Sequence, residues 1–203
     1  MRAILLHGMG RTPLSMLILK KRLAEQGLHS TLFGYSATFE SFEHCVQRLI
    51  KRVQQIMGGD PYILIGHSLG GVIIRAALPY LAFHLPQACF LLASPSMVCK
   101  AVRYFSKNPI FRLLTGEMSQ LLADEAFMKS LPIPMIPTKI YAGTAGPQKT
   151  WFPLGDEEND GVLTVSEVQG TLIFPVTRIP HLHTWIMNSR EIADDIIKTI
   201  KQV

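Results

Sequence analysis

The chain has 203 residues, 48% of them apolar, and a formal net charge of +5. That length and apolar content suit one domain with a sizeable core better than two small ones. The basic residues are scattered and carry no aromatic ladder, so a nucleic-acid partner is not expected.

Ala3 to Leu6 reads as a buried strand, followed by the turn-rich HGMGRTP. Leu14, Leu17, Ile18 and Leu23 then fall at helical spacing, and Gly27 stops that helix. His29 to Tyr35 gives a second strand. Phe42 to Met57 gives a second helix, with Val46, Leu49, Ile50, Val53 and Ile56 on one face and Gly58 and Gly59 at its end. Tyr62 to Ile65 is a third strand, Leu69 to Phe83 a helix, Ala88 to Ala93 a fourth strand and Thr138 to Ala142 a fifth. Leu172 to Val176 is expected as the sixth strand. Thr184 to Gln202 closes the chain as an amphipathic helix with Ile186, Ile192, Ile196, Ile197 and Ile200 on its apolar stripe. Strand and helix alternate throughout, which predicts an α/β fold: a mostly parallel sheet of six strands with helices on both faces. No repeat or linker divides residues 1 to 203.

Cys45, Cys89 and Cys99 have neither paired spacing nor a CxxC pattern, and are read as packed thiols without a disulfide framework. The apolar part of AILLHG is too short for a signal-peptide core, and no apolar stretch reaches the roughly 20 residues a membrane-spanning helix needs. A protein of the reducing cytoplasm is expected.

Residues 62 to 74, YILIGHSLGGVII, place a lone hydroxyl where a buried strand becomes a helix. Gly66 and Gly70 flank Ser68 with no side chain to collide in so tight a turn, which pushes the serine out above the sheet as a nucleophile. The unpaired N–H groups of a helix N-terminus there face any negative charge forming on a substrate. A hydroxyl needs a base and an acid to activate it, both expected downstream. His29 and His44 precede the serine, His84 ends the helix after it, and His67 adjoins it. His181 and His183, in IPHLHTW, both qualify as the base, with His183 preferred. For the acid, GDEENDGVLTVSE offers Asp156, Glu157, Glu158 and Asp160. Asp160 stands apart because Gly161 and the apolar VLTV tie it to the packed body, whereas the others can float in solvent. Asp156, Asn159 and Asp160 also form a hard oxygen set for calcium, but without EF-hand spacing. No metal or cofactor is called for. HGMG at residues 7 to 10 supplies a loop whose backbone can turn inward, making the N–H groups of Met9 and Leu69 the expected oxyanion donors.

With these motifs the chain resembles the α/β-hydrolase superfamily, in particular its small lipase and esterase branch with the GPI inositol-deacylase-like and bacterial triacylglycerol lipase relatives. LLHGMG, IGHSLGG, NDGVLTVSE and HTWIMNSREI occur in the family's order and span nearly the whole chain. The resemblance implies Ser68 as nucleophile, Asp160 as acid, His183 rather than His181 as base, and Met9 and Leu69 as oxyanion donors. The chain opens directly on the oxyanion strand, without the two antiparallel strands that precede it in many relatives.

Residues 96 to 134 are too long and too apolar for a plain connection and are expected to form a cap. The first half carries Lys100, Arg103, Lys107 and Arg112, interleaved with Val102, Tyr104, Phe105, Ile110, Phe111, Leu113 and Leu114. Such a segment can lie on an anionic membrane surface, giving peripheral contact, or pack on the body as a lid. Trp151 and Phe152 are candidates for the pocket wall or for a satellite of the core. The expected activity is hydrolysis of a small-molecule or lipid ester through an acyl-enzyme. A thioesterase or acyltransferase would use the same residues, and a non-catalytic interaction protein is the remaining reading.

Overall fold

A computed structural model of the chain describes residues 1–57, 59–106, 108–150 and 154–202, the side chains of residues 56, 57 and 112 apart. Six strands form the sheet: β1 (Arg2–Leu6), β2 (His29–Phe33), β3 (Tyr62–His67), β4 (Ala88–Leu92), β5 (Thr138–Gly143) and β6 (Val176–Ile179). Their order is β2-β1-β3-β4-β5-β6, and every neighbouring pair runs parallel. The central strands β3 and β4 are buried at every residue, as continuous apolar runs in a covered parallel sheet should be.

Eight α-helices accompany these strands among the described residues. On one face, α1 (Leu17–Glu25) packs beside the C-terminal α8 (Arg190–Ile200), over Leu5, Ile63, Ile65, Phe90 and Tyr141. On the other face, α2 (Phe42–Met57) and α3 (Leu69–Ala77) pack together over Ile4, Leu6, Leu64 and Leu91. Between β4 and β5 lie α4 (Lys100–Phe105), α5 (Pro109–Ala123) and α6 (Glu125–Ser130), the expected cap. A short α7 (Val165–Gln169) follows β5. The chain passes from β1 to β2 on one side and to β3 on the other, so the order reverses between β1 and β3. In open α/β sheets that crevice, beyond the strands' carboxyl ends, is where ligands bind.

Several boundaries differ from expectation for physical reasons. The sixth strand is Val176–Ile179, not 172 to 176: Pro175 has no N–H to give to a ladder, so pairing begins only after it. Leu172 is buried all the same, off the sheet. The first helix is preceded by a 3-10 turn, Pro13–Met16, which rotates its stripe: Met16, Leu19 and Leu23 are buried, whereas Leu14, Leu17 and Ile18 face out. The helix from Leu69 passes into a 3-10 turn at Leu78–Leu81, where Pro79 cannot continue the α ladder. The last helix begins at Arg190 rather than Thr184. Ser189 caps it, accepting from the Ile192 N–H, after a separate 3-10 turn at Ile186–Asn188. Cys45, Cys89 and Cys99 are free and buried, as expected.

The cap is fastened to the body at several points. The Glu167 carboxylate, on α7, accepts the Lys100 N–H that opens α4. Glu117 accepts the Phe42 N–H at 2.9 Å, and the Thr38 hydroxyl donates to the Leu114 carbonyl at 2.6 Å. Buried Arg75 on α3 donates to the carbonyls of Leu131 and Pro132, holding the cap's exit. Met118, Leu122 and Met128 complete the attachment inside the core, and Gly116, at φ +58°, kinks α5 against the carbonyls of Ala37 and Thr38.

Candidate active site

The carboxyl end of β3 turns into α3 through Ser68, whose φ of 52° and ψ of −121° lie where L residues rarely go. That turn is tolerated because its neighbours have no Cβ. A methyl on Gly70 would lie 2.7 Å from the carbonyls of Leu6 and His7, and one on Gly66 would lie 2.5 Å from the Gly71 nitrogen. The Ser68 N–H anchors to the Leu92 carbonyl at 2.9 Å, and the Ser68 carbonyl accepts from Gly71 N–H at 3.0 Å. Strain stored here is held by both neighbours of the elbow.

His183 stands opposite, after β6. The Ser68 hydroxyl lies 3.0 Å from His183 Nε2, and His183 Nδ1 lies 2.7 Å from Asp160 Oδ2. A carboxylate only accepts, so Nδ1 carries the proton and Nε2 presents its lone pair to the serine O–H. The Asp160 side chain is fully buried. Its second oxygen accepts the N–H groups of Val162 at 2.9 Å and Leu163 at 2.7 Å, so both lone-pair faces of the carboxylate are engaged. Backbone bonds tie the two loops: His183 N–H to the Asp160 carbonyl at 2.9 Å, and Asp160 N–H to the Leu163 carbonyl at 3.0 Å.

The other candidates are placed elsewhere. Asp156 is exposed, whereas Glu157 pairs with Lys100 at 2.9 Å and Glu158 with Arg178 at 2.7 Å, so these two are fixed rather than floating. His181 makes no hydrogen bond to Ser68; its Nδ1 is buried without a partner among the described residues. Asn159 donates to the carbonyls of Pro147 and Glu157 and accepts from Gly161 N–H, and Asp160 is turned toward His183. The three oxygen-bearing side chains weighed for calcium are thus engaged elsewhere or exposed. Trp151 and Phe152 lie outside the described residues.

Met9 and Leu69 frame the serine. Leu69 opens α3, so its N–H is a first-turn donor without an intrahelical acceptor. Met9 stands in the wall of the cavity that holds Ser68. The loop bearing it is braced by Tyr35, which donates its O–H to the His7 carbonyl at 2.6 Å and stacks on the His7 ring at 4.2 Å. Burial lowers the His7 imidazole below the usual histidine value.

Three further residues carry the site without having been singled out for it. His67 is buried, and its Nε2 faces the His183 carbonyl at 2.9 Å; a carbonyl only accepts, so this nitrogen donates. Burial, then the His183 ring 5.0 Å away, holds the His67 imidazole well below its usual value, so it stays neutral. Gly143, ending β5, lets Asp160 approach: a methyl there would lie 2.7 Å from Asp160 Cβ. Glu167 completes a capping box with Thr164, giving α7 its start and the cap its tie. The pattern T-x-x-E at 164 to 167 is the sequence signal that announces this helix.

The cavity over Ser68 measures about 210 Å³ and is walled by Met9, Arg11, Pro95, Val102, Leu122 and Leu163, among others. A larger cavity of about 660 Å³ lies between α4, α6 and α7 and contains none of Ser68, Asp160 or His183. Size does not mark the site here; the convergent hydrogen-bonded chain does.

The profile of the alpha/beta hydrolase family matches residues 3–192. No curated protein sequence matches the chain. Among solved structures, a lipase from Bacillus licheniformis in its mature form superposes with a TM-score of 0.68 at 15% identity, covering 98% of this chain and 91% of that one. A thioesterase of the prodiginine biosynthetic pathway of Streptomyces coelicolor gives 0.64 at 14% identity, covering 99% and 84%. A phospholipase from Legionella pneumophila gives 0.67 at 14% identity, covering 83% of this chain but 45% of that one. At these identities the likeness is one of fold.

Proposed function

From the premise that the chain belongs to the alpha/beta hydrolase family, we propose that it is a serine carboxylic-ester hydrolase with Ser68 as nucleophile, His183 as base and Asp160 as its orienting acid. One observation carries the reading: the unbroken chain from Ser68 Oγ through His183 to fully buried Asp160. His183 Nε2 takes the hydroxyl proton as Oγ attacks the ester carbonyl. The charge on the carbonyl oxygen falls to the N–H groups of Met9 and Leu69. His183 then protonates the leaving alcohol, and water, activated by the same imidazole, releases the acid from the acyl-enzyme. The Asp160 carboxylate keeps the imidazole in the tautomer that accepts from serine and stabilises its charged form.

A thioester or an acyl acceptor other than water would use the same groups, and the thioesterase among the structural neighbours shares no more than the fold. Turnover of p-nitrophenyl esters of graded chain length, set against the matching acyl thioesters, tests the reading. Faster cleavage of the oxygen esters supports it; cleavage of thioesters alone moves the assignment to a thioesterase.

The cap bears on where the substrate lies. Tyr104, Phe105, Ile110, Leu113 and Leu114 are all exposed on α4 and the first half of α5, next to Arg103, whereas the apolar residues Met118, Leu122 and Met128 of the second half are buried on the body. A cap that only roofed the pocket would turn these side chains inward. Their exposure favours the reading that this face rests on an anionic lipid surface, from which ester substrate is drawn. No described helix is long and apolar enough to cross a membrane.

A further inference from the structure

The wall of the Ser68 cavity carries one formal charge, Arg11. Its other lining groups are apolar or neutral: Met9, Pro95, Val102, Leu122 and Leu163 provide no charge, and His67 is neutral through burial. Asp160 is fully buried behind His183 and has spent its oxygens on the imidazole and two backbone N–H groups. Arg11 is only half-buried, and its guanidinium donates from one nitrogen, Nη2, to the Thr184 carbonyl at a long 3.3 Å. A guanidinium has five N–H donors in a rigid fork matched to carboxylate and phosphate oxygens. Of the other arginines, Arg2, Arg48 and Arg178 pair with Asp60, Glu40 and Glu158, whereas Arg22 and Arg75 donate to backbone carbonyls away from the Ser68 cavity. Among the described residues Arg11 has no carboxylate partner, although it sits partly desolvated in the wall of the cavity that holds Ser68.

We infer that Arg11 is a specificity-determining residue that selects esters carrying an anionic oxygen group, carboxylate or phosphate, close to the scissile carbonyl. The inference rests on the ester-hydrolase reading and names its substrate class. The sequence places Arg11 immediately after HGMG, so the strand exit that supplies the Met9 N–H also delivers the guanidinium to the same cavity. One loop thus serves both the oxygen that becomes charged during reaction and a charge the substrate already has. A charge-assisted, partly desolvated contact of this type separates an anionic ester from its neutral isostere by about tenfold or more.

The test compares two matched substrate pairs: p-nitrophenyl hexanoate with the mono-p-nitrophenyl ester of hexanedioic acid, and dihexanoylglycerol with dihexanoylphosphatidic acid. The first pair reads carboxylate, the second phosphate. The wild-type chain should show higher kcat/KM for the anionic member of at least one pair. Arg11→Gln should collapse that ratio by about tenfold or more, mainly through KM. Arg11→Lys should restore part of it, and Arg11→Glu should reverse it. Equal losses on both members would overturn the inference and reduce Arg11 to a brace for the Thr184 carbonyl, as would a wild-type enzyme with no anionic preference in either pair. Titration calorimetry with uncleavable amide analogues of the same pairs separates the two claims. A wild-type chain that cleaves no ester yet binds the anionic amides more tightly, with Arg11→Gln equalising them, defeats the hydrolase reading and keeps the Arg11 assignment. Equal amide binding in wild type defeats the assignment.

Discussion

The serine elbow and the cap sit on opposite sides of one small cavity and are specified in different ways. The elbow is dictated by backbone. Glycines at 66 and 70 leave no room for a methyl, β3 and α3 are buried around it, and Ser68 holds an unusual φ and ψ because nothing else fits. The cap is dictated by side chains: single tethers from Glu167, Glu117, Thr38 and Arg75, and a few apolar residues sunk into the core. A feature written in glycines leaves a short, nearly unique string in the sequence. A feature written in scattered tethers leaves only length and composition.

Breaking the elbow's chemistry should give the largest effect. Ser68→Ala should lower ester turnover by roughly 10⁶-fold, and His183→Ala by a similar factor because the three groups act as a unit. His181→Ala should cost less than about tenfold, since His181 makes no hydrogen bond to Ser68. Thermal melting should barely change for Ser68→Ala, which removes one hydroxyl from a cavity wall. Hydrolysis retained by purified Ser68→Ala would remove the nucleophile assignment.

Breaking the elbow's backbone should cost stability. In Gly70→Ala the new methyl meets two carbonyl oxygens at 2.7 Å, which are backbone and cannot step aside. A loss of about 4 kcal/mol or more is expected by denaturant unfolding. The matched change in the cap, Gly116→Ala, puts a left-handed residue 2.9 Å from the Ala37 carbonyl at the kink of α5. It should cost about 1 to 3 kcal/mol, because the cap is held by fewer contacts and can shift. If Gly116→Ala proves the more damaging of the two, the contrast between a rigid elbow and an adjustable cap is wrong.

The same contrast explains what could be read beforehand. The convergence of Ser68, Asp160 and His183 in one hydrogen-bonded chain was legible because a strand end, a glycine pair and chain order together leave few candidates. The sheet and both flanking layers were legible from alternation of apolar runs. The last strand was misplaced because LIFPV looks apolar, while the edge strand that forms is VTRI, half of it exposed. The stripe of α1 was misphased because a leading 3-10 turn changes the rotation before the helix begins. The roles of His67 and Gly143 were illegible: each depends on a contact between loops far apart in the chain, which no local pattern encodes.

Acid should loosen the elbow side before the cap's tethers matter. His67 and His7 are both held below the usual histidine value, chiefly by burial, so in the folded chain they are neutral where the unfolded chain binds protons. The unfolded state charges near pH 6.5. Stability is therefore full above that value and falls as pH drops through it toward the folded values, because protons then favour the unfolded state. Melting temperature measured from about pH 7.5 down to about pH 5 should decline. His67→Gln, which keeps a donor for the His183 carbonyl but cannot charge, should show a shallower decline. Equal slopes would mean that His67 is not the source.

The smallest effect is expected at the exposed face of the cap, and it separates surface from chemistry. Leu113 and Leu114 are 76% and 64% exposed, so replacing both with Ser removes little packing and should leave melting within about 0.5 kcal/mol of wild type. Each Leu that enters the acyl boundary contributes on the order of 1 kcal/mol to binding, so the double variant should bind vesicles containing phosphatidylglycerol about thirtyfold less well. Hydrolysis of a short soluble ester should be unchanged, because neither residue lines the Ser68 cavity. Salt should weaken binding of both proteins, since Lys100, Arg103, Lys107 and Arg112 give this segment its positive charge. Equal vesicle binding by wild type and the double variant at low salt would reject docking through this face. The cap would then act only as a lid, and its exposed apolar residues would owe nothing to lipid.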